Sequence, residues 1–197
     1  MSAFVFQSKG HRYTLDGVRL PSVTECIREA GLTPSMDFVS DWHLNRGSQV
    51  HAATALFDQE DLDESVLDAA LRGRLEAWKA FRAATVADFA ITEIEKPRHS
   101  PLLRFAGTPD RVGVWRGRPC IVEIKSGKPD PSHGIQTAAY ALLASAVERL
   151  GVYLADDGTF KVVTYTDRND AAVFTAALTC WHWRAANGLL TSEAGAR

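Results

Sequence analysis

Gly107-Thr108-Pro109-Asp110 leads into Arg111-Val112-Gly113-Val114-Trp115, Arg116-Gly117-Arg118-Pro119 turns the chain, and Cys120-Ile121-Val122-Glu123-Ile124-Lys125 runs back. Glycine permits a tight backbone ahead of Asp110, and proline fixes φ and removes a donor, so the carboxylate is held at a defined place. A strand turns alternate residues to alternate faces. Glu123 and Lys125 therefore point one way while Val122 and Ile124 point into apolar packing. An acid and an ammonium stand side by side, with a second acid one hairpin away.

Two converging carboxylates repel, and burial raises that cost. A divalent cation between them removes it. Asp110 and Glu123 offer hard oxygen ligands suited to Mg2+ or Mn2+, while Lys125 cannot ligate as an ammonium but can orient or help deprotonate a water. Such a set suits phosphodiester hydrolysis, in which a metal activates water and neutralises the oxygens of a pentavalent phosphorus. The competing reading is a solvent-facing Glu-Lys pair worth roughly 0.2–1 kcal/mol. Spacing alone leaves both open.

Around this hairpin the pattern predicts a small hairpin over 3–14, an Asp16-Gly17 turn, and a short helix opened by Pro21 or Ser22 and stopped by Gly31. A helix is expected over 37–58, where Gly47 marks a break or a close approach. A second helix is expected over 63–83, with Leu67, Leu71, Leu75, Trp78 and Phe81 on one face. A strand follows over 90–95, with Glu93 and Glu95 on one face. Either could be an edge-strand charge that discourages sheet pairing. Residues 97–104 read as a polar loop, 133–148 as a helix, 151–155 with 160–165 as a hairpin, and 170–186 as a helix covering the sheet. His51, on the first long helix, reads from its surroundings as a capped or half-buried surface histidine. Gln136 and Tyr140 lie one helical turn apart on a shared face, and the residues alone favour a core tyrosine with a surface amide.

Taken in order, Pro109-Asp110, Glu123-Ile124-Lys125 and Gln136-Thr137-Ala138-Ala139-Tyr140, preceded by Asn45-Arg46-Gly47-Ser48-Gln49-Val50-His51, resemble the PD-(D/E)xK nuclease superfamily over about 21–184. The likeness is specifically to its RecB-type branch. It implies a three-layer α/β/α sandwich with a central mixed sheet, the restriction-endonuclease-like core, and a helical N-terminal part. It also implies a Mg2+ or Mn2+ held by His51, Asp110, Glu123 and the Ile124 carbonyl, with Glu95 as an added carboxylate and Glu93 as its reserve. Lys125 would position the water, Gln136 and Tyr140 would steady Lys125 or the scissile phosphate, and His133 would contact a phosphate or base. The activity so implied is a metal-dependent deoxyribonuclease, an exonuclease acting at DNA ends in recombination or repair as in phage. The alternatives are a structure-specific endonuclease, or a non-catalytic DNA-binding subunit of a helicase or recombination complex.

The 197 residues suffice for one well-filled core, so a single domain over 1–197 is expected. Within it, 1–88 would be mostly helical, 89–187 would carry the sheet and its flanking helices, and 188–197 would fray. A formal charge of -2 supplies no global attraction for nucleic acid. DNA contacts must then come from local basic groups, with Arg46, Arg111, Lys128 and His133 nearest the motifs. Cys26, Cys120 and Cys180 are odd in number and widely spaced, as expected of reduced thiols in a cytoplasmic protein. They cannot supply the four thiolates of the iron-sulfur cluster some RecB-type nucleases carry. No basic-then-apolar leader or apolar run near 18 residues is seen, and no phosphate-binding Gly-Lys string, so an ATP-driven motor would be a separate partner. Assembly as a monomer or as a homo-oligomer stays open.

Overall fold

The computed structural model describes residues 3–33 and 41–190, the side chains of 41–46 excepted. Its axis is the strand β8 (Arg118–Lys125). Ile121, Val122 and Ile124 on that strand are fully buried, as a strand covered on both faces requires. Burial of each such side chain stabilises the fold by about 1.5–3 kcal/mol. On one side β8 pairs antiparallel with β7 (Arg111–Trp115), Arg111 lying opposite Val122; on the other it pairs parallel with β9 (Glu148–Leu154). The edges are β4 (Phe89–Ile94) and β10 (Phe160–Thr164), giving a mixed sheet in the order β10-β9-β8-β7-β4.

A parallel pair needs a crossover, and α4 (Pro131–Ala144) provides it. Asp130 caps α4, its side chain accepting from Ser132 N–H, and Pro131 occupies the first turn where its missing N–H costs nothing. Helix α4 packs with α1 (Val23–Glu29) and α5 (Asn169–Ala186) around Ile121, Tyr140, Leu143 and Phe174 on one face. The opposite face carries α2 (Asp41–Asp58) and α3 (Ala69–Ala84), which pack Val50, Trp78 and Phe81 against Val122, Ile124 and Val152. The result is the expected α/β/α sandwich with a mixed central sheet.

Local details depart from the pattern. The N-terminal hairpin has a third strand: β1 (Phe4–Gln7), β2 (Arg12–Leu15) and β3 (Val18–Leu20) form a separate antiparallel sheet. Helix α2 runs through Gly47 without a break, and no described residue lies within 4 Å of a Cβ built there; the expected residues 37–40 fall outside the described part. The helix expected over 63–83 is instead a 3-10 turn (Glu64–Val66) followed by α3, because both Asp63 and Asp68 act as N-caps and restart the backbone. The polar loop 97–104 is a small hairpin of β5 (Arg98–Ser100) and β6 (Phe105–Gly107). Helix α4 stops at Ala144, where Ser145 takes a left-handed conformation (φ 52°), and Glu148 belongs to β9. Helix α5 packs mainly on α4 and α1 rather than directly on the sheet.

Candidate active site

The chain reaches Asp110 at the start of β7, directly across from the end of β8, and this juxtaposition builds the site. Asp110 donates its N–H to Glu123 Oε1 at 3.1 Å, and its own carboxylate accepts from Ile124 N–H at 2.7 Å. The two acids are 5% and 2% exposed, so they meet out of water. Glu123 Oε2 accepts from Lys125 Nζ at 3.1 Å, and the same ammonium donates to Gln136 Oε1 at 2.8 Å. Gln136 in turn lies 3.5 Å from the Tyr140 hydroxyl. The i, i+4 spacing on α4 thus places an amide and a phenol behind the lysine.

His51 projects from α2, with Nδ1 2.9 Å from Asp110 Oδ1 and 3.8 Å from Glu95 Oε1. A β-bulge between Ile91 and Glu93, followed by a left-handed Glu95 (φ 46°), swings Glu95 into the site. The left-handed backbone at Glu95, just past the end of β4 at Ile94, breaks the face expected to be shared with Glu93, which pairs with Lys96 and Arg98 and takes no part. One ligand atom each of His51, Glu95 and Asp110 lie within 4.8 Å of one another. Among the described residues, Glu95 Oε1 is a buried atom with no hydrogen-bond partner. A cation-capable donor set of one imidazole and two carboxylates, with an orphaned buried oxygen among them, fits a divalent metal ion.

The electrostatics follow from crowding. Burial and the neighbouring Asp110 charge push Glu123 up to about 7, against the pull of Lys125. Burial would also raise Asp110, but the charge and hydrogen bond of His51, with Lys125, hold it below the usual range. Burial opposes the imidazolium of His51, yet Asp110 and then Glu95 lift it to about 10. Burial opposes the Lys125 ammonium as well, and Glu123 and Asp110 overcome it, so its pKa is raised. Two buried acids and the half-buried Glu95 are thus balanced by cations, and a metal would have to displace the proton on His51.

A family model described as the PD-(D/E)XK nuclease superfamily matches residues 24–186, which include this aspartate and the Glu-Ile-Lys of the neighbouring strand. The chain belongs to the PD-(D/E)XK nuclease superfamily. No curated protein sequence matches this nuclease. Among solved structures, a candidate exonuclease from Eubacterium rectale superimposes with a TM-score of 0.54 at 9% identity, covering 87% of this chain and 82% of that one. An alkaline exonuclease from Laribacter hongkongensis gives 0.42 at 16% identity, with 85% and 93% covered. A phage-related exonuclease from Haemophilus somnus gives 0.43 at 11%, with 86% and 96% covered. At these identities the likeness is one of fold.

The groups expected at DNA fare differently in the nuclease. Arg111 is corrected: its side chain is fully buried, donating to Asp58 Oδ2 at 2.8 Å and to the Asp110 carbonyl at 2.6 Å, so it faces inward behind the acids. Asp58 also accepts from Trp78 Nε1 and pairs with Arg82, which ties the end of α2 to α3 and β7. Asp58 lies seven residues after His51, hence on the same helical face, a spacing that could have signalled its role. His133 is half-buried, with Nδ1 taken up by the Tyr153 hydroxyl at 2.7 Å and by Asp130 N–H; burial, then the Lys125 charge, lower it to about 4. Lys128 is exposed in the turn after β8, and the Arg46 side chain lies outside the described residues. The three thiols are free, Cys26 and Cys120 buried and Cys180 exposed. Among the described residues no helix is long and apolar enough to cross a membrane.

Gly107 in the motif has a steric reason. A Cβ there would lie 2.6 Å from Tyr140 Cε1 and 3.1 Å from Val23 Cγ2. Gly107→Ala is expected to displace Tyr140 and destabilise the nuclease by about 1–3 kcal/mol, measured as a lower midpoint in thermal or urea denaturation. An unchanged midpoint would mean the tyrosine can step aside freely.

Proposed function

We propose that this chain is a divalent-metal-dependent deoxyribonuclease of the RecB-type branch, acting as an exonuclease at DNA ends in recombination or repair. The observation that carries the reading is the meeting of Asp110, Glu123 and Lys125 with His51 and Glu95 in one buried cluster. Mg2+ or Mn2+ would be held by His51, Asp110, Glu123 and the Ile124 carbonyl, with Glu95 as an added carboxylate. When bound, it supplies Lewis-acid stabilisation and an acidified water. Lys125 orients that water and offsets charge on the phosphate, and Gln136 Oε1 keeps the ammonium aimed at the acids rather than at solvent. The buried Tyr140 backs Gln136. The shared fold of the candidate exonuclease from Eubacterium rectale supports end-directed cutting, and the exposed Lys128 after β8 is the proposed phosphate contact. A helicase or recombination protein is the proposed partner.

The test is digestion of linear, nicked, covalently closed circular and single-stranded DNA, end-labelled where ends exist, with Mg2+, with Mn2+ and with chelator. Linear DNA should be degraded from its ends in metal and left intact in chelator, with the closed circle spared. Cutting of the closed circle would replace the exonuclease reading by an endonuclease. Binding without cutting in either metal would make the chain a non-catalytic DNA-binding subunit.

A further inference from the structure

The segment ahead of Asp110 is held by residues that precede the family-matched region. Thr108 Oγ1 and the Tyr13 hydroxyl are 2.8 Å apart, joining β2 to the turn 95 residues later in the chain. Tyr13 is 1% exposed, its ring packed between Phe4 and Phe6. One step back, Ala106 donates its N–H to the Pro21 carbonyl at 3.0 Å and buries its methyl against Tyr13, Leu15 and Leu20. Between Thr108 and Asp110 stands Pro109, whose ring fixes φ and removes a torsion that could absorb a shift. A rotation at Thr108 is therefore passed on to Asp110. The Asp110 carboxylate has little slack, since one oxygen faces His51 at 2.9 Å and the other the Ile124 amide at 2.7 Å.

We propose that Tyr13 is a positioning residue of the active site: by its hydrogen bond to Thr108 it fixes Asp110, which makes the N-terminal three-stranded sheet part of the metal-binding unit. The inference rests on the metal-dependent reading above. A buried Tyr hydroxyl needs a partner, but Leu or Phe would serve packing in this aromatic cluster equally well. The hydroxyl is explained by what it holds. Because misplacement of a reacting group by a fraction of an ångström lowers rate steeply, its loss is read in turnover and metal affinity more than in stability.

The test uses the full chain as wild type, Tyr13→Phe, Thr108→Val, the double variant and Thr108→Ser. Calorimetric titration with Mn2+ is paired with steady-state hydrolysis of end-labelled linear DNA. Tyr13→Phe and Thr108→Val should each weaken Mn2+ binding and lower kcat about tenfold, with KM for DNA within about twofold. The double variant should be no worse than either single change. Thr108→Ser, which returns the hydroxyl, should recover both quantities. Wild-type Mn2+ affinity in Tyr13→Phe overturns the inference, as does a Thr108→Ser that behaves like Thr108→Val or a double variant whose losses add. If the wild-type protein itself takes up no Mn2+, the metal reading fails and takes this inference with it.

Discussion

Asp110→Ala is expected to abolish measurable Mn2+ binding heat and to lower DNA hydrolysis by about 1,000-fold or more, the scale set by losing a metal and its activated water. Its carboxylate reaches His51 and the Ile124 amide, its N–H donates to Glu123, and its carbonyl accepts from Arg111 and from Glu95 N–H. Only the backbone contacts survive the substitution. The same geometry predicts how wild-type binding responds to pH. His51, raised to about 10 when metal-free, starts from about 6.5 in the unfolded chain. Its pairing therefore contributes stability that is fully present below about pH 6.5 and is lost as pH rises through about 10. A metal that takes the imidazole must expel that proton, so Mn2+ affinity should strengthen by up to about tenfold per pH unit between pH 7 and 9. Calorimetry in buffers of different ionisation enthalpy counts the proton released. Equal heats for wild type and Asp110→Ala would remove Asp110 from the ligand set.

Lys125→Ala is expected to slow cleavage by about 100-fold or more, as for a positioned electrostatic or acid-base group. Its second effect falls on Glu123, which lies near 7 even with the ammonium beside it. Without Lys125, burial and the Asp110 charge are opposed only by the Asp110 N–H and the His51 charge, and Glu123 holds its proton to higher pH. The acid limb of the pH-rate profile should therefore move upward. Folding should suffer less than the loss of a buried ion pair ordinarily implies, because Glu123 can neutralise itself. Stopped or quenched assays across pH 6 to 9, with thermal unfolding alongside, check both parts. Retained turnover would reduce Lys125 to a charge partner of Glu123, and a collapse in melting temperature would make it structural.

The hairpin of β7 and β8 and the shared face of Gln136 and Tyr140 on α4 were legible because each depends on a local period. Two residues carry a side chain across a strand, and four carry one along a helix. Glu95 was legible only as a choice between two acids, since a left-handed residue just past the end of β4 decides which of them enters the site. The burial of Arg111 could not be read locally. Its partner Asp58 is 53 residues away, and an arginine on a strand looks the same whether it meets solvent or a buried carboxylate. The same holds for Tyr13, whose reason for being a tyrosine lies at Thr108. The end of α4 was missed for the opposite cause: alanine-rich residues 138–144 favour continued helix, and only the demand of β9 for a place beside β8 stops it at Ser145.

The parallel pairing of β8 with β9, and the long reach of the bonds from His51 and Tyr13, set an order on how the chain acquires activity. A hairpin such as β7–β8 closes in about 1–10 μs. The ligand cluster must await contacts 59 and 95 residues apart in the chain, whose loop-closure entropy makes them slow. Cleavage should return on refolding only with the last kinetic phase, after most secondary structure is already present. A polypeptide still on the ribosome, having exposed Glu123 and Lys125 but not yet the helix with Gln136, therefore passes through its synthesis without the means to damage nucleic acid nearby.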